Sequence, residues 1–517
     1  MDFLKSFVIF LNINLVFTAN ILAIFQYPFY SHQFTYHKLM KELALRGHNL
    51  TIFTSHLFNY DNFSNVIQHH FTDSLKISNR NTNMLEYKQK NLNWFQIDQR
   101  ELKTFYETTK SEILHPEMQK IIKNNENQKF DLIIIECCFC HLIFLTEIYD
   151  CPFIYVSASD VSFVWHGLMG NDVNPALYSD FQLVPFLHRY LTFFERVQSL
   201  FRTFIIILKT AIFTMDDEIK REHFPNISMN VVDVIQKRSA LLLTNTNVAF
   251  GHIRPLMPNT VQVGFMHIEP PKEIKDKNLK EFLDNSTNGI IVMSLGSKAD
   301  TKSLNLSTVN KFLNVFNQTK FNVVWKSHES DQIIPQNVML CNWLPLADVL
   351  AHKNVKLLIT HGGILTAYEA IDREIPMIVL PMAYDQISNA KMMVHKKIAI
   401  ELDLNNFSEE NLLSAIDEVT KGDFKENVKK LREKVYDQPI KSLDLAVWHV
   451  ESVLRNKNEL KVPTSSYGEQ FKRYYVDVFG SAIILIFIVN RIIKKIVTIV
   501  KNKFKKYFSN KCKLKIS

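Results

Sequence analysis

The sequence predicts an α/β protein made of two doubly wound domains that face a cleft. Short, nearly continuous apolar runs alternate with helical patterns along 517 residues, which is typical of parallel sheets covered on both faces. With 47% apolar and 22% charged residues, the composition builds cores and not disordered segments. A proline-bearing stretch separates two sets of runs. We therefore predict an N-terminal domain at 20–253, a linker at 254–272 and a C-terminal domain at 273–465.

Eight apolar runs are the candidate strands. In the first half they are Ile21–Phe25, Leu50–Thr54, Leu132–Glu136 and Phe153–Ser157. In the second half they are Ile290–Leu295, Val323–Trp325, Leu357–Thr360 and Met377–Leu380. After the first run, a helical pattern that includes Leu39 and Leu43 ends at Gly47, which suits the position just past a helix.

Both ends of the chain resemble targeting segments. Lys5 and the apolar run 7–17 predict a secretory signal peptide at 1–19, with a first buried strand or an uncleaved anchor as alternatives. Residues 474–493 reach the length of a transmembrane helix, and the rival interpretation is an amphipathic helix on a membrane surface. The basic tail, 494–517, would then be cytosolic. We thus expect a single-pass type I protein of the endoplasmic reticulum membrane, and seven N-x-S/T sequons are compatible with its lumenal body.

Charge and small motifs exclude several classes of function. Ten Lys and Arg residues lie between Arg491 and Ser517, and removing them from the net charge of +8 leaves −2, so the body has no basic stripe for nucleic acid. The twelve glycines form no GxGxxG, GxxxxGK or GxSxG pattern, and HExxH is absent. The six cysteines do not form a disulfide framework, and Cys137-x-x-Cys140 lacks a second pair at zinc spacing.

Polar residues follow four of the predicted strands, where ligands bind in open α/β sheets. They are Ser31-His32, Glu136, Gly296-Ser297 and the run Thr360-His361-Gly362-Gly363. In the last of these, two glycines allow close backbone approach, and a helix starting near Thr366 turns its N–H groups toward the turn. This pattern suits a diphosphate.

Further polar residues extend this candidate site. Glu369 lies one helical turn beyond Thr366 and can accept hydrogen bonds from a ribose diol. Asp385-Gln386 follows the next strand and can bind several sugar hydroxyls, and Trp343 offers a flat face to a base. Each alone is compatible with an ordinary βα turn, whereas their combination on two successive turns favours a nucleotide-sugar site.

The segment Trp343 to Gln386 resembles the signature region of the UDP-glycosyltransferases, which include the membrane-anchored glucuronosyl- and glucosyltransferases of animal detoxification. The resemblance implies a GT-B fold with the acceptor bound mainly by the first domain and the UDP-sugar by the second. It also implies an inverting displacement that needs no metal and no cofactor. His32 matches the general base of that family, and Glu136 stands where the family usually has Asp.

The same resemblance implies roles for the donor site. His361, Gly363 and Thr366 match the diphosphate turn, with Gly296 and Ser297 completing it. Glu369 matches the ribose-binding carboxylate, Asp385 and Gln386 the sugar-binding pair, and Trp343 the residue against which uracil packs. Two positions depart from the family pattern: Leu346 replaces a usual Gln, and Leu365 stands where some members have Asn.

The expected function is transfer of a hexose, glucose or glucuronate, from a UDP-sugar to a hydroxyl of small lipophilic acceptors. Two alternatives remain open: a lipid or hormone glycosyltransferase with a narrow acceptor range, and a catalytically silent, membrane-anchored binder of hydrophobic ligands. The expected partners are the UDP-sugar, the acceptor and the membrane, with a homo- or hetero-oligomer possible and no nucleic acid.

Overall fold

The computed structural model describes residues 18–124, 127–137, 141–175, 177, 191–215, 218–251, 253–296, 303–327, 332–456 and 476–513. Most of the predicted signal segment, residues 1–17, lies outside these ranges, and so does Ser297. The chain forms two compact units, Met1–Val462 and Pro463–Ser517.

The first sheet of the larger unit is entirely parallel. Its strands are β1 (Asn20–Phe25), β2 (Asn49–Thr54), β3 (Val66–His70), β4 (Leu132–Glu136), β5 (Phe153–Ser157), β6 (Ser239–Thr244) and β7 (Thr260–Gln262). They lie in the order β3-β2-β1-β4-β5-β6-β7, so the winding direction reverses between β1 and β4. Such a reversal opens a crevice at the carboxyl ends of the two strands.

The second sheet repeats this plan. It contains β8 (Ile290–Ser294), β9 (Asn322–Lys326), β10 (Val338–Cys341), β11 (Val355–Thr360), β12 (Met377–Val379) and β13 (Ala399–Glu401). The order is β10-β9-β8-β11-β12-β13, again parallel, with the reversal between β8 and β11. All eight predicted strands are therefore confirmed, each within two residues at either end. The prediction missed β3, β6, β7, β10 and β13.

Helices cover the sheets. With the first sheet they are α1 (Tyr30–Leu45), α2 (Thr72–Asn81), α3 (Met84–Gln89), α4 (Trp94–Ile113), α5 (Pro116–Lys123), α6 (Leu145–Ile148), α7 (Phe163–Leu168), α8 (Phe193–Met215), α9 (Glu218–His223) and α10 (Val231–Arg238), plus a 3-10 turn at Leu142–Phe144. Later in the chain they are α11 (Lys277–Asn285), α12 (Leu306–Gln318), α13 (Leu346–Leu350), α14 (Ile364–Asp372), α15 (Asp385–His395), α16 (Glu409–Lys421), α17 (Phe424–Tyr436) and α18 (Ser442–Asn456).

Two apolar clusters of the core contain residues from both the N-terminal and the C-terminal half of the larger unit. Helix α18 is the last described helix of the larger unit, yet Val447 and Val450 pack into the cluster that holds β1 and α1 of the first sheet. A second cluster joins Met84 and Tyr87 of α3 to strands of the second sheet, including Met293 in β8 and Ile359 in β11. The two sheets are therefore held together by shared apolar packing.

The smaller unit is represented by one helix, α19 (Val476–Lys513). In the part of the chain that the structure describes, we find no helix whose apolar stretch is long enough to traverse a bilayer. The predicted transmembrane segment, 474–493, therefore has no support here. Its apolar run is interrupted by Asn490 and Arg491, and Lys494 and Lys495 follow at once.

Candidate active site

The first half of the candidate site is a histidine–carboxylate pair at the reversal of the first sheet. His32 lies in the first turn of α1, just after β1, and Glu136 is the last residue of β4. Because β1 and β4 are neighbours in register, the two side chains meet: Nδ1 of His32 lies 2.8 Å from Oε1 of Glu136. This contact leaves Nε2 of the imidazole as the nitrogen available to take a proton.

The carboxylate of Glu136 is held by two further donors. The backbone N–H of Tyr27 donates to Oε2 at 2.6 Å, and the hydroxyl of Tyr36 donates to Oε1 at 3.1 Å. The Glu136 side chain is only 2% exposed, whereas that of His32 is 30% exposed. The pair thus consists of a fixed, buried acceptor and an imidazole that reaches the cleft, the arrangement expected of an oriented general base.

The second half of the site is the turn after β11. Gly362 has φ +86°, a left-handed conformation that glycine adopts without strain. The His361 ring fills the space between two other glycines: a Cβ at Gly296 would lie 2.8 Å, and one at Gly363 2.6 Å, from its Nε2. These residues need to be glycine because the imidazole takes the room of a side chain on both sides.

Helix α14 opens from this turn at Ile364, two residues before the predicted start near Thr366. Gly363 is its N-cap and supplies no side-chain hydrogen bond, so it leaves the first N–H groups of the helix uncapped. Burial, followed by the nearby charge of Lys326, lowers the pKa of His361 to about 4. A neutral imidazole beside a helix N-terminus can donate a hydrogen bond to an anion.

Glu369 and Trp343 extend the site from this turn. Burial raises the pKa of Glu369 to about 7. The Trp343 side chain is 58% exposed. Its ring is contacted by Lys326, with Nζ 4.9 Å from the centroid, and edge-on by Tyr30 of the first half at 5.5 Å.

Asp385 and Gln386 begin α15. Oε1 of Gln386 accepts hydrogen bonds from the backbone N–H groups of Met382 and Ala383. Oδ2 of Asp385 accepts from Asn389, which also donates to the carbonyl of Gly362 in the neighbouring turn. These bonds join the two βα turns of the second sheet into one structure.

The two halves of the site share one cleft. Burial raises the pKa of Asp385, and the charge of His32, across the cleft, is among the smaller effects that lower it. The contact between Tyr30 and Trp343 bridges the same gap. The structure therefore brings His32 and Glu136 together with the turn that carries His361, and with Trp343, Asp385 and Gln386, at the reversal points of both sheets.

The amino-acid sequence of the chain matches a known protein family. The family model described as UDP-glucoronosyl and UDP-glucosyl transferase matches residues 22–514. The chain belongs to the UDP-glycosyltransferase family. It is thus a transferase that uses a UDP-sugar as donor. The site residues picked from the sequence lie within the matched region, and their individual roles stay predictions.

Several known proteins are similar to this UDP-glycosyltransferase. UDP-glycosyltransferase UGT4 of Dactylopius coccus is 28% identical, with 92% of this chain and 94% of that protein covered. An ecdysteroid UDP-glucosyltransferase of Spodoptera littoralis nuclear polyhedrosis virus is 26% identical over 86% and 89% of the two chains. Human UDP-glucuronosyltransferase 2B7 is 29% identical over 73% and 71%.

The fold is similar to those of solved glycosyltransferases. The glycotransferase of kitacinnamycin gives a TM-score of 0.54 at 16% identity, covering 84% of this chain and 99% of that one. The calicheamicin glycosyltransferase CalG4 gives 0.52 at 14% identity, with 85% and 99% covered. At this identity the similarity concerns the fold alone, and it agrees with the GT-B architecture of two parallel α/β sheets.

Sequence reasoning missed two residues of this UDP-glycosyltransferase site, Lys326 and Tyr36, and a third residue that borders it, Tyr384. Lys326 ends β9, and its Nζ lies 3.4 Å from the carbonyl oxygen of Gly296; a lysine closing an apolar strand was the available signal. Tyr36 is one helical turn beyond His32, but nothing in the sequence pairs it with Glu136. Tyr384 directly precedes Asp385, and its backbone conformation is not readable from the sequence.

Proposed function

We propose that this UDP-glycosyltransferase transfers a hexose to a hydroxyl group of a small lipophilic acceptor by an inverting displacement. The observation that carries the proposal is the pairing of His32 with Glu136, in a cleft where the contact between Tyr30 and Trp343 joins the first half of the site to the half that carries the His361 turn. A base for the acceptor and a binding turn for a diphosphate in one cleft are the two groups that such a displacement requires.

The proposed reaction proceeds in one step. Nε2 of His32 takes the proton of the acceptor hydroxyl while its oxygen forms a bond to the anomeric carbon. The bond from that carbon to the β-phosphate oxygen breaks, and UDP leaves with the electron pair. Glu136 stabilises the imidazolium, and the N–H groups of α14 together with His361 stabilise the charge that develops on the phosphate. No metal and no organic cofactor takes part in this proposal.

The remaining site residues would bind the donor. Glu369 would accept hydrogen bonds from the ribose, and Trp343 would pack against uracil, since its ring is more than half exposed. Asp385 and Gln386 would hold the hexose. The buried carbonyl oxygen of Gln386 is already occupied by backbone donors, which leaves its NH₂ group to donate to a sugar hydroxyl.

The experiment is UDP release from UDP-glucose and from UDP-glucuronate with phenolic acceptors, comparing wild type with His32→Ala. We expect acceptor-dependent turnover with one of the two donors and its loss in the variant. Unchanged turnover in His32→Ala would show that the proposed base is wrong. UDP binding without turnover on any acceptor would favour the silent binder.

A narrower acceptor range is the second candidate. Two similar viral proteins are named ecdysteroid UDP-glucosyltransferases, and this favours a polyhydroxylated steroid as one acceptor to test. An acceptor panel of simple phenols and hydroxylated steroids separates the two candidates. Turnover confined to the steroids supports the narrow enzyme.

We also propose that the protein acts in the lumen of the endoplasmic reticulum. The proposal rests on the signal-like N-terminus and on seven sequon asparagines, all of which are exposed: Asn49, Asn62, Asn226, Asn285, Asn305, Asn317 and Asn406. Enzymatic removal of N-glycans should lower the apparent mass of the protein expressed in animal cells. An unchanged mass would argue against the lumenal location.

A further inference from the structure

Tyr384 has a backbone conformation that residues with a Cβ rarely adopt. It is the N-cap of α15, with φ +55° and ψ −135°. Glycine reaches this region freely, whereas a bulky aromatic residue is strained there. Strain of this kind persists only where the surrounding structure imposes it. The next two residues are Asp385 and Gln386, the proposed sugar-binding pair.

The packing of the ring explains what imposes this conformation. Tyr384 packs against the apolar cluster that joins the two halves of the chain, in which Met84, Tyr87 and Ile97 of the first half lie among residues of the second sheet. Its hydroxyl is buried and finds no hydrogen-bond partner within the described ranges. Burial, followed by the nearby Glu101 and the Tyr27 hydroxyl, raises the pKa of Tyr384 well above its ordinary value.

Aromatic ring contacts connect this cluster to His32, the proposed base. Phe29 packs against the same cluster, and its ring centroid lies 4.2 Å from that of Tyr27. The ring of Tyr27 in turn lies 4.9 Å from that of His32. The backbone N–H of the same Tyr27 donates to Glu136. The cluster that holds Tyr384 is thus connected to His32 and Glu136 through Phe29 and Tyr27.

We propose that Tyr384 is a positioning residue, a side chain anchored in the cluster that joins the two halves of the molecule, and that it orients Asp385 and Gln386 toward His32. This inference rests on the proposed function, because it concerns the alignment of the sugar with the acceptor. The anchored ring forces the strained backbone, and the strained backbone sets the direction in which α15 begins. Release of the ring would let the sugar-binding pair shift relative to the His361 turn, because that turn has backbone hydrogen bonds of its own, from Ala367 to Gly363 and from Leu380 to Thr360.

The test compares three full-length proteins: wild type, Tyr384→Phe and Tyr384→Gly. Phe keeps the ring and loses only a hydroxyl that bonds to nothing among the described residues, so its kcat should stay within about twofold of wild type. Gly removes the ring and relieves the backbone. We expect its kcat to fall by about tenfold or more, since misplacement of about 1 Å can cost a hundredfold. UDP affinity, measured by calorimetry, should stay within about twofold because the nucleotide site is not on this turn.

A second variant, in the cluster against which Tyr384 packs, keeps the inference testable if Tyr384→Gly does not fold. Ile97→Ala loosens the cluster against which Tyr384 packs, and Ile97 belongs to the helix Trp94–Ile113, not to either βα turn of the donor site. It should lower kcat by roughly threefold or more with UDP affinity unchanged.

The outcomes separate this inference from the proposed function. If wild type releases no UDP with any donor and acceptor, the proposed function fails, and the inference fails with it. If wild type turns over and both Tyr384→Gly and Ile97→Ala keep its kcat, the inference alone is overturned. Equal losses of kcat and UDP affinity in Tyr384→Gly would also overturn it, because they indicate a general structural role.

Discussion

Replacement of Glu136 by Gln tests the proposed base most directly. The two side chains have the same shape, but the amide carries no charge and has one acceptor oxygen where the carboxylate has two. In the structure the carboxylate accepts from the Tyr27 N–H, the Tyr36 hydroxyl and, on the same oxygen as Tyr36, the His32 imidazole. With Gln at this position one donor must face the NH₂ group, and His32 loses a charged partner.

The expected size follows from these contacts. A hydrogen bond to a charged group contributes about 1.5–3 kcal/mol, and each 1.36 kcal/mol changes a rate about tenfold. Loss of this stabilisation for the imidazolium should lower kcat by about 10- to 150-fold. If the imidazole also adopts the other tautomer, the loss should approach the roughly 10⁴-fold seen when the equivalent carboxylate of a Ser-His-Asp triad is neutralised.

The assay is UDP release at saturating donor and acceptor, with UDP affinity measured in parallel. Glu136→Asp is the matched control, because it keeps the charge and shortens the side chain by one methylene group. We expect Asp to retain more activity than Gln and both to bind UDP like wild type. A Gln variant within about threefold of wild type would refute the role given to this carboxylate.

Three further predictions concern the donor site. Burial raises the pKa of Glu369 from 4.5 to about 7, so the native state loses stability as pH rises across that interval; Glu369→Gln should raise the thermal unfolding midpoint at pH 8 but not at pH 4, and should weaken UDP binding at pH 8. Lys326→Met removes a half-buried ammonium beside Trp343 and Gly296 and should raise the donor KM by about tenfold, while an acceptor KM that rises equally would contradict a donor-site role. In Gly363→Ala the new Cβ would lie 2.6 Å from Nε2 of His361, and UDP affinity measured by calorimetry should fall by about tenfold; unchanged affinity would mean that the ring can move without cost.

Much of the fold could be predicted because buried parallel strands consist of uninterrupted apolar residues. The run that ends at Glu136 and the run that ends at Thr360 are of this kind, and both are strands in the structure. By contrast, β3 is a sheet edge with the sequence VIQHH, in which Ile67 is exposed and the other side chains are only partly buried, so its apolar signal is weak. Strand β13 has three residues, which is too short for a periodic pattern.

The site was predictable where function depends on residue type at fixed spacing along one turn. The turn from His361 to Glu369 and the pair at Asp385 are of this kind. Contacts that depend on tertiary packing were not predictable. The hydroxyl of Tyr36 reaches Glu136 from 100 residues away, and Tyr384 packs against a cluster that residues from both halves of the chain build together.

The return of α18 to the first sheet has a consequence for biosynthesis. Ala446, Val447 and Val450 fill part of the hydrophobic interior around β1. The ribosome synthesises them only after every strand of both sheets has been made. The amino-terminal half therefore emerges with an apolar surface that stays uncovered until α18 is complete. Expression of that half alone would leave the same surface open, whereas supplying Ser442–Asn456 as a separate peptide would provide the missing cover.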